Sequence, residues 1–524
     1  MMKKEKRARI SSIMALIFLV ALALLPGCQK EQQQDGGDGD SGTLTFSYFR
    51  PVWGASTYVK DGPYEKALEE AANVKINVQI VPVGEYDAKA QIMLSSKKFP
   101  DVMWALGPVD ASWRGTENQG AFYPIEELLE SHPAVKATAA DDIWEMMRNE
   151  DGHIYFLPNT TSSEIPFYLY YRKDWFDELG IAEPTTIAEL EKALEQLKVA
   201  KSEVIPMTVG NGEVRWMFKD LATSFGAVIN TWQPSKEDPN TLIPSFSTEE
   251  QKEYLFWLQK MRSRGLLDAE ADLNPDFSHG KQKFMTGKAA CYPGGYPDML
   301  EIYPQLLAND PDAEIGIMSP LTGPDGTKGG LRVNFPVDRG MYFNASLSAE
   351  KIEKIFDFLE WTLTDGHDLY YYGIEDKMCV VNEDGTKSKI PESMREDAYK
   401  NAQVEPLKFL SRREDLVDFA DYEDQFEALG LGQYYENWRA KWDEYCANKY
   451  YDYLVPTVKS ETNTKIGSQI QESCLNSTFG AVILSPDVTK KQYDDAVSAW
   501  LAAGGQDIID EFNAAQTEKT KPTY

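Results

Sequence analysis

From Thr43 to Gly107 the sequence alternates extended, β-branched runs with helical ones, and this rhythm constrains the fold more than any other feature of the chain. TLTFSYF (Thr43–Phe49) alternates apolar and polar residues, as a strand does. PYEKALEEAAN begins with Pro63 in what is then the first turn of a helix, where a missing N–H removes no bond. VKINVQIVPV reads as a second strand, EYDAKAQIMLSS as a second helix, and DVMWAL as a third strand ending at Gly107. Parallel strands need crossover connections, so a βαβαβ order predicts a mostly parallel sheet with helices over it.

The alternation resumes downstream. IYFLPN (Ile154–Asn159) reads as a strand and leads into IPFYLYYRK. A second α/β region runs through PMTVGN, EEQKEYLFWLQKMRSRG, QKFMTGKAACYPGGY and EIGIMSPL to a strand around Gly340–Asn344. Thr186, with Glu189 three residues on, forms a capping box ahead of a helix. The helix from Ala349 to Thr364 gathers Ile352, Ile355, Phe356, Leu359 and Leu363 on one face. From there to Tyr524 the chain reads as largely helical, with Trp500, Leu501, Ile508, Ile509 and Phe512 as buried anchors, and no segment repeats.

Residues 1–27 follow the order of a secretory signal peptide: a basic start at Lys3, Lys4, Lys6, Arg7 and Arg9, then an apolar run from Ile10 to Pro26 too short for a membrane span. The run ends in Leu25-Pro26-Gly27-Cys28, which resembles the lipobox of bacterial lipoproteins. That resemblance implies a diacylated, palmitate-type anchor on Cys28 and a place on the extracytoplasmic face of the cell membrane. Residues 28–42 are polar and Gly-rich and predict a flexible tether.

The chain has 83 acidic against 53 basic residues, a formal charge of −30, which argues against nucleic acid or anionic lipid as a partner. Beyond Cys28 the cysteines Cys291, Cys379, Cys446 and Cys474 stand far apart without metal-ligand spacing, so disulfides and free thiols both remain open. Four isolated histidines make no zinc site. The aspartates of GPDGTKGG and EDGTKSK lack EF-hand spacing and read as turns. No metal, no cofactor and no catalytic motif is expected.

YDAKAQIMLSSKKFPDVMWA, GHIYFLPN, YLYYRKDWFDELGIAEPTTIAELEKALEQL, KFMTGKAACYPGGY, GIEDKMCVV and ILSPDVTKKQYDDAVSAWLAAGGQDIIDEFNAA follow one another across nearly all of residues 43–515. In this order they resemble the family 1 extracellular solute-binding proteins of ABC importers, in particular the lipoprotein-type, carbohydrate-binding subgroup. The resemblance implies an α/β, two-lobed, type II periplasmic-binding-protein-like fold with its ligand cleft between the lobes and extra C-terminal helices. It implies a monomeric, non-catalytic protein that hands a mono- or oligosaccharide to a membrane permease. Carried onto this chain, one lobe takes residues 43–164 plus about 340–400, and the other 165–339 plus about 401–524. Crossings are expected near Ser162–Tyr170, near Val337–Phe343 and after Ile390.

Ligands of open α/β sheets lie off the carboxyl ends of strands. A sugar pocket there needs aromatic rings for the apolar faces and charged or amide groups for the hydroxyls. After the first strand stand Tyr48, Phe49, Arg50 and Trp53. Alternation sends one of Tyr48 and Phe49 to the core and the other to the cleft, which favours Tyr48 and Arg50 as ligand contacts. Trp104 ends the third strand, while Asp101 reads as a structural acceptor of backbone amides. Asn211 and Trp216 follow a second-lobe strand, and Tyr296 follows Gly294-Gly295. The family resemblance implies aromatic platforms at Trp216 and Tyr296. Arg339, beside Asp338 at the second crossing, suits either a ligand or an inter-lobe ion pair. Glu375 is a candidate hydroxyl acceptor, and the run Tyr370–Tyr372 reads as helix packing. Two alternatives stay open: a binding protein for a peptide or an acidic sugar, with Arg50 and Arg339 pairing its carboxylate, and a surface glycoside hydrolase.

Overall fold

A computed structural model describes residues 42–515, apart from 53–57, 107–112, 114–115, 118, 150, 163, 210–217, 272–276, 296–297, 336, 338 and 454–459. Cys28 and its tether therefore lie outside the described residues. Among the described residues no helix is long and apolar enough to cross a membrane.

The opening βαβαβ forms as the sequence predicts. Strands Leu44–Val52, Val74–Pro82 and Val102–Leu106 pair in parallel, with helices Pro63–Ala72 and Val83–Ser96 between them. Two strands from elsewhere complete the five-stranded sheet. Arg339–Phe343 runs antiparallel beside Val102–Leu106, and Phe156–Asn159 runs antiparallel beside Arg339–Phe343. Asp101 ties the entrance of this sheet: its Oδ2 accepts from the Ser47 amide at 2.7 Å and the Ser47 hydroxyl at 2.9 Å. A second, four-stranded sheet has the order Ile315–Ile317, Phe167–Arg172, Ala289–Gly295, Ile205–Met207. Only its last two strands are parallel, because Phe167–Arg172 runs against both neighbours.

Two separate hydrophobic clusters mark two lobes. One gathers core residues from Leu44 to Leu157 and from Phe335 to Leu410. The other gathers Tyr168 to Val333 and Phe426 to Tyr493. The chain thus passes between clusters three times: between Leu157 and Tyr168, between Val333 and Phe335, and between Leu410 and Phe426. Phe335, Val337 and Val404 to Leu410 pack in the first cluster, so the clusters divide a few residues away from the boundaries read in the sequence. Ile470, Trp500, Ile508, Ile509 and Phe512 form a third cluster with Leu242, and Leu501 packs against it. Asn513 fastens these C-terminal helices by pairing with both the N–H and the C=O of Leu242 at 2.8 Å.

Caps follow local chemistry with one departure. The Thr186 hydroxyl accepts from the Glu189 amide at 3.1 Å, but the Glu189 carboxylate turns to the Thr185 amide and hydroxyl, leaving half the expected box. The complete capping box stands at Thr489 and Gln492. GPDGTKGG and EDGTKSK are turns, in which Asp325 and Asp384 accept the amides of Thr327 and Thr386. Cys291, Cys379, Cys446 and Cys474 are all free.

The first two crossings are tied together by buried charge. Asp220 Oδ2 accepts from the Phe167 amide at 2.6 Å and Oδ1 from the Arg332 amide at 2.7 Å, joining the first crossing to the second. The Lys219 ammonium lies 3.5 Å from Asp220 and donates to the carbonyl of Ile165 at 3.1 Å. Arg332 pairs with Asp452 at 2.9 Å, just past the strand Lys449–Tyr451 that runs beside Leu331–Val333. Lys219, Asp220, Arg332 and Asp452 are all buried. Isolated charges at such depth would be prohibitive, and mutual pairing with backbone donors is what makes the cluster tolerable.

Candidate ligand-binding cleft

Register brings the expected ends of the two sheets into focus. In the first lobe, Arg339 pairs across from Leu106 on one side and Asn159 on the other, at the carboxyl ends of both strands. In the second, Phe167 lies opposite Gly295, the carboxyl end of Ala289–Gly295. In the sequence Trp53 follows the strand that ends at Val52, Asn211 and Trp216 follow the one that ends at Met207, and Tyr296 follows Gly295, and all four lie outside the described residues.

The described candidates on the first strand turn inward. Tyr48 and Phe49 are both buried, against the expectation that alternation would send one to the cleft. The cause is that both faces of this sheet are covered: Phe49 stacks on Tyr86 at 5.1 Å, and Tyr48 on Phe409 at 4.6 Å. Burial pushes the Tyr48 hydroxyl above its ordinary range. Arg50 is fully buried as well. Its Nη1 donates to the carbonyls of Glu405 at 2.5 Å and Lys408 at 2.9 Å, its Nη2 meets the Glu405 carboxylate, and its guanidinium lies 3.9 Å over the Trp104 ring. Arg50 and Trp104 therefore hold the 405–408 segment against the sheet. Trp113 is likewise buried, stacked on Tyr342. Arg339 remains half-buried at its sheet end, and Glu375 is exposed beside the strand that starts at Cys379.

Next to that pinned segment a cavity of about 700 Å³ opens between the lobes, a size within the roughly 300–1,000 Å³ of small-molecule sites. Its second-lobe wall includes Asp298 and Glu301, on a helix that starts three residues past Gly295. Its first-lobe wall includes Tyr370, Tyr371, Tyr372, Lys389, Arg395 and Lys408. Asp298 accepts from Lys281 at 2.9 Å and the Gly295 amide at 3.1 Å, while burial pushes its carboxyl up. Lys389 lies 3.4 Å over the Tyr371 ring and 3.4 Å from Asp421, and burial lowers its ammonium. His367 stacks on Tyr371 at 5.3 Å and bonds Asp415 at 2.7 Å. The Lys408 ammonium sits 4.1 Å over Tyr370, and burial, reinforced by Lys389 and Arg395, lowers it to about 7.

The wall is thus aromatic and charged, as a polyol ligand requires. Sequence reasoning missed most of it. Tyr371 and Tyr372 face the cavity, not only a helix interface; Lys389 ends a three-residue strand, and Arg395, Lys408 and Arg412 lie among short turns that carry no hydrophobic period. The one available signal was the run of basic residues between Lys387 and Arg413 in an otherwise acidic chain.

The family model for the bacterial extracellular solute-binding protein matches residues 64–372. The chain is 22% identical over 525 residues to the polygalacturonan/rhamnogalacturonan-binding protein YtcQ of Bacillus subtilis, covering 96% of this chain and 98% of that one. It is 21% identical over 524 residues to lipoprotein LipO of the same organism, covering 94% and 96%. Its fold is similar to the solved FusA, an ABC-transporter substrate-binding protein of Streptococcus pneumoniae in complex with kestose, with TM-score 0.66 at 16% identity over 90% of this chain and 98% of that one.

Proposed function

The chain belongs to the bacterial extracellular solute-binding proteins, and from that premise we propose that it captures a saccharide between its lobes and delivers it to the permease of an ABC importer. The observation that carries this reading is the inter-lobe cavity of about 700 Å³, walled by tyrosines and charged groups from both lobes. A ligand touching both walls favours the closed arrangement by the difference in its contacts, and the three crossings are where such closure hinges. The buried knot of Asp220, Lys219, Arg332 and Asp452 keeps the first two crossings in register through that motion. YtcQ and FusA are named for polygalacturonan and for fructooligosaccharide transport, which supports a glycan as cargo. The lipobox-like Leu25–Cys28 and the similarity to LipO support a lipid anchor on the extracytoplasmic face. Such a tether raises the effective concentration of the receptor at its permease. From the sequence and the family resemblance we further propose Trp53, Asn211, Trp216, Tyr296 and Arg339 as ligand contacts.

A thermal-shift screen of the full chain against mono- and oligosaccharides and peptides tests the reading. A ligand at a hundredfold its dissociation constant stabilises by about 2.7 kcal/mol. A melting shift with at least one saccharide, without product formation, is the expected result. Shifts with peptides alone, or turnover of the glycan, would overturn it.

A further inference from the structure

The charges lining the cavity are not matched in the way the composition predicts. Among the described residues five carboxylates face it, and each already has its donor. Asp298 and Glu301 bind Lys281 at 2.9 and 2.8 Å. Glu392 accepts from the amide and side chain of Asn401 at 3.0 and 2.6 Å. Asp415 takes His367, and Asp421 takes the Lys389 amide at 2.8 Å, with Gln425 at 2.9 Å.

Among the cations the balance reverses. Lys389 reaches Asp421 and Lys400 reaches Asp397. Arg395 donates through Nε to the carbonyl of Ile390 at 2.7 Å, and Arg412 through Nε to the carbonyl of Leu363 at 2.8 Å. Among the described residues, the Lys408 ammonium meets the faces of Tyr370 and Tyr64, at 4.1 and 5.8 Å. Among the described residues, none of Arg395, Arg412 and Lys408 makes an ion pair. In a chain with 83 acidic and 53 basic residues, three such cations on one cavity are the opposite of what chance placement gives.

A ring face offsets only part of what an ammonium loses when water leaves. Closure over a neutral ligand buries the Lys408 charge uncompensated, whereas closure over an anion pairs it. The same geometry therefore attracts one ligand class and penalises another, which is how binding sites discriminate. We propose that the cavity selects a carboxylated saccharide, with the uronate carboxylate seated on the Lys408 ammonium and Arg395 and Arg412 contributing positive potential from the same wall. This rests on the reading of the cavity as the saccharide site and names the class of sugar it takes.

The test is isothermal titration of the full chain near pH 6, below the value of about 7 to which burial lowers Lys408. The probes are trigalacturonate and its fully methyl-esterified form, which share a ring skeleton and differ in charge. The acid is expected to bind at least about tenfold more tightly than the ester, as for a desolvated charge pair. Lys408→Met removes that preference by weakening the acid while leaving the ester unchanged, and Lys408→Arg restores it. Equal binding of acid and ester by the unmodified chain overturns the proposal without any variant having to fold. Acid affinity unchanged in Lys408→Met overturns it as well. Binding of neutral glycans with no binding of either probe overturns the proposal and leaves the saccharide reading standing. Binding of an acidic peptide with no saccharide bound overturns both.

Discussion

Replacing Asp220 with alanine tests whether the crossings are held by the buried charge knot. The carboxylate serves two backbone amides at 2.6 and 2.7 Å and sits 3.5 Å from a fully buried ammonium. Each amide left without an acceptor costs about 1–3 kcal/mol. Removing one partner of a buried pair costs about 3–5 kcal/mol. These losses overlap, since Lys219 keeps its bond to the Ile165 carbonyl, so about 4 kcal/mol is expected in place of their sum. For a cooperative unit of 150–250 residues, each kcal/mol moves the melting temperature by about 2–4 °C, which gives a drop of about 8–16 °C. Asp220→Asn keeps the shape and one acceptor and falls about halfway. Urea titration followed by circular dichroism, run beside calorimetry, reads both variants. A loss below about 1 kcal/mol for Asp220→Ala would show that the carboxylate does not hold the crossings, because two orphaned amides alone exceed it.

Arg50→Met should destabilise by about 2–4 kcal/mol in the same assay, mainly through the carbonyls of Glu405 and Lys408 that lose their donor. The Glu405 carboxylate is 41% exposed and rehydrates, so its ion pair contributes little. Trigalacturonate affinity should fall as pH rises through 7, by at most about tenfold per unit, because a carboxylate prefers protonated Lys408. The groups facing that ammonium are Tyr64, Tyr370, Lys389, Arg395 and Asp415, and the slope should vanish in Lys408→Met. The stability contribution of Lys408 has the opposite sign. Its folded pKa lies below the unfolded value, so the unfolded chain binds more protons between the two and stability rises with pH from about 7 upward, readable by urea titration at pH 7 and 9. Cys28→Ser should move the protein from the membrane fraction to the soluble one on cell fractionation, since an unlipidated tether has nothing to insert.

What was legible in the sequence follows a physical divide. The opening strands and helices announced themselves by period and end within a few residues of expectation, from Leu44 to Leu106. Asp101 was legible because a strand entrance leaves amides to satisfy. The inward turn of Tyr48 and Arg50 was not, because it depends on Phe409 and Glu405, some 360 residues away, covering that face. Period-2 alternation distinguishes the two faces of a strand and cannot say whether the second face is also covered. The same distance hid Lys408, whose position is set by the Arg50 bond to its carbonyl and whose segment has no regular repeat. The partial box at Thr186 shows the limit of motif reading, since Thr185 offered Glu189 two donors that the motif does not consider.

A crystal structure of the chain grown with a saccharide that shifts its melting temperature tests the inter-lobe site most directly. Sugar density is expected in the inter-lobe cavity, with contacts to Asp298 or Glu301 on one wall and to Tyr371, Tyr372 or Lys408 on the other. Density seated outside that cavity, or touching one lobe only, would contradict it.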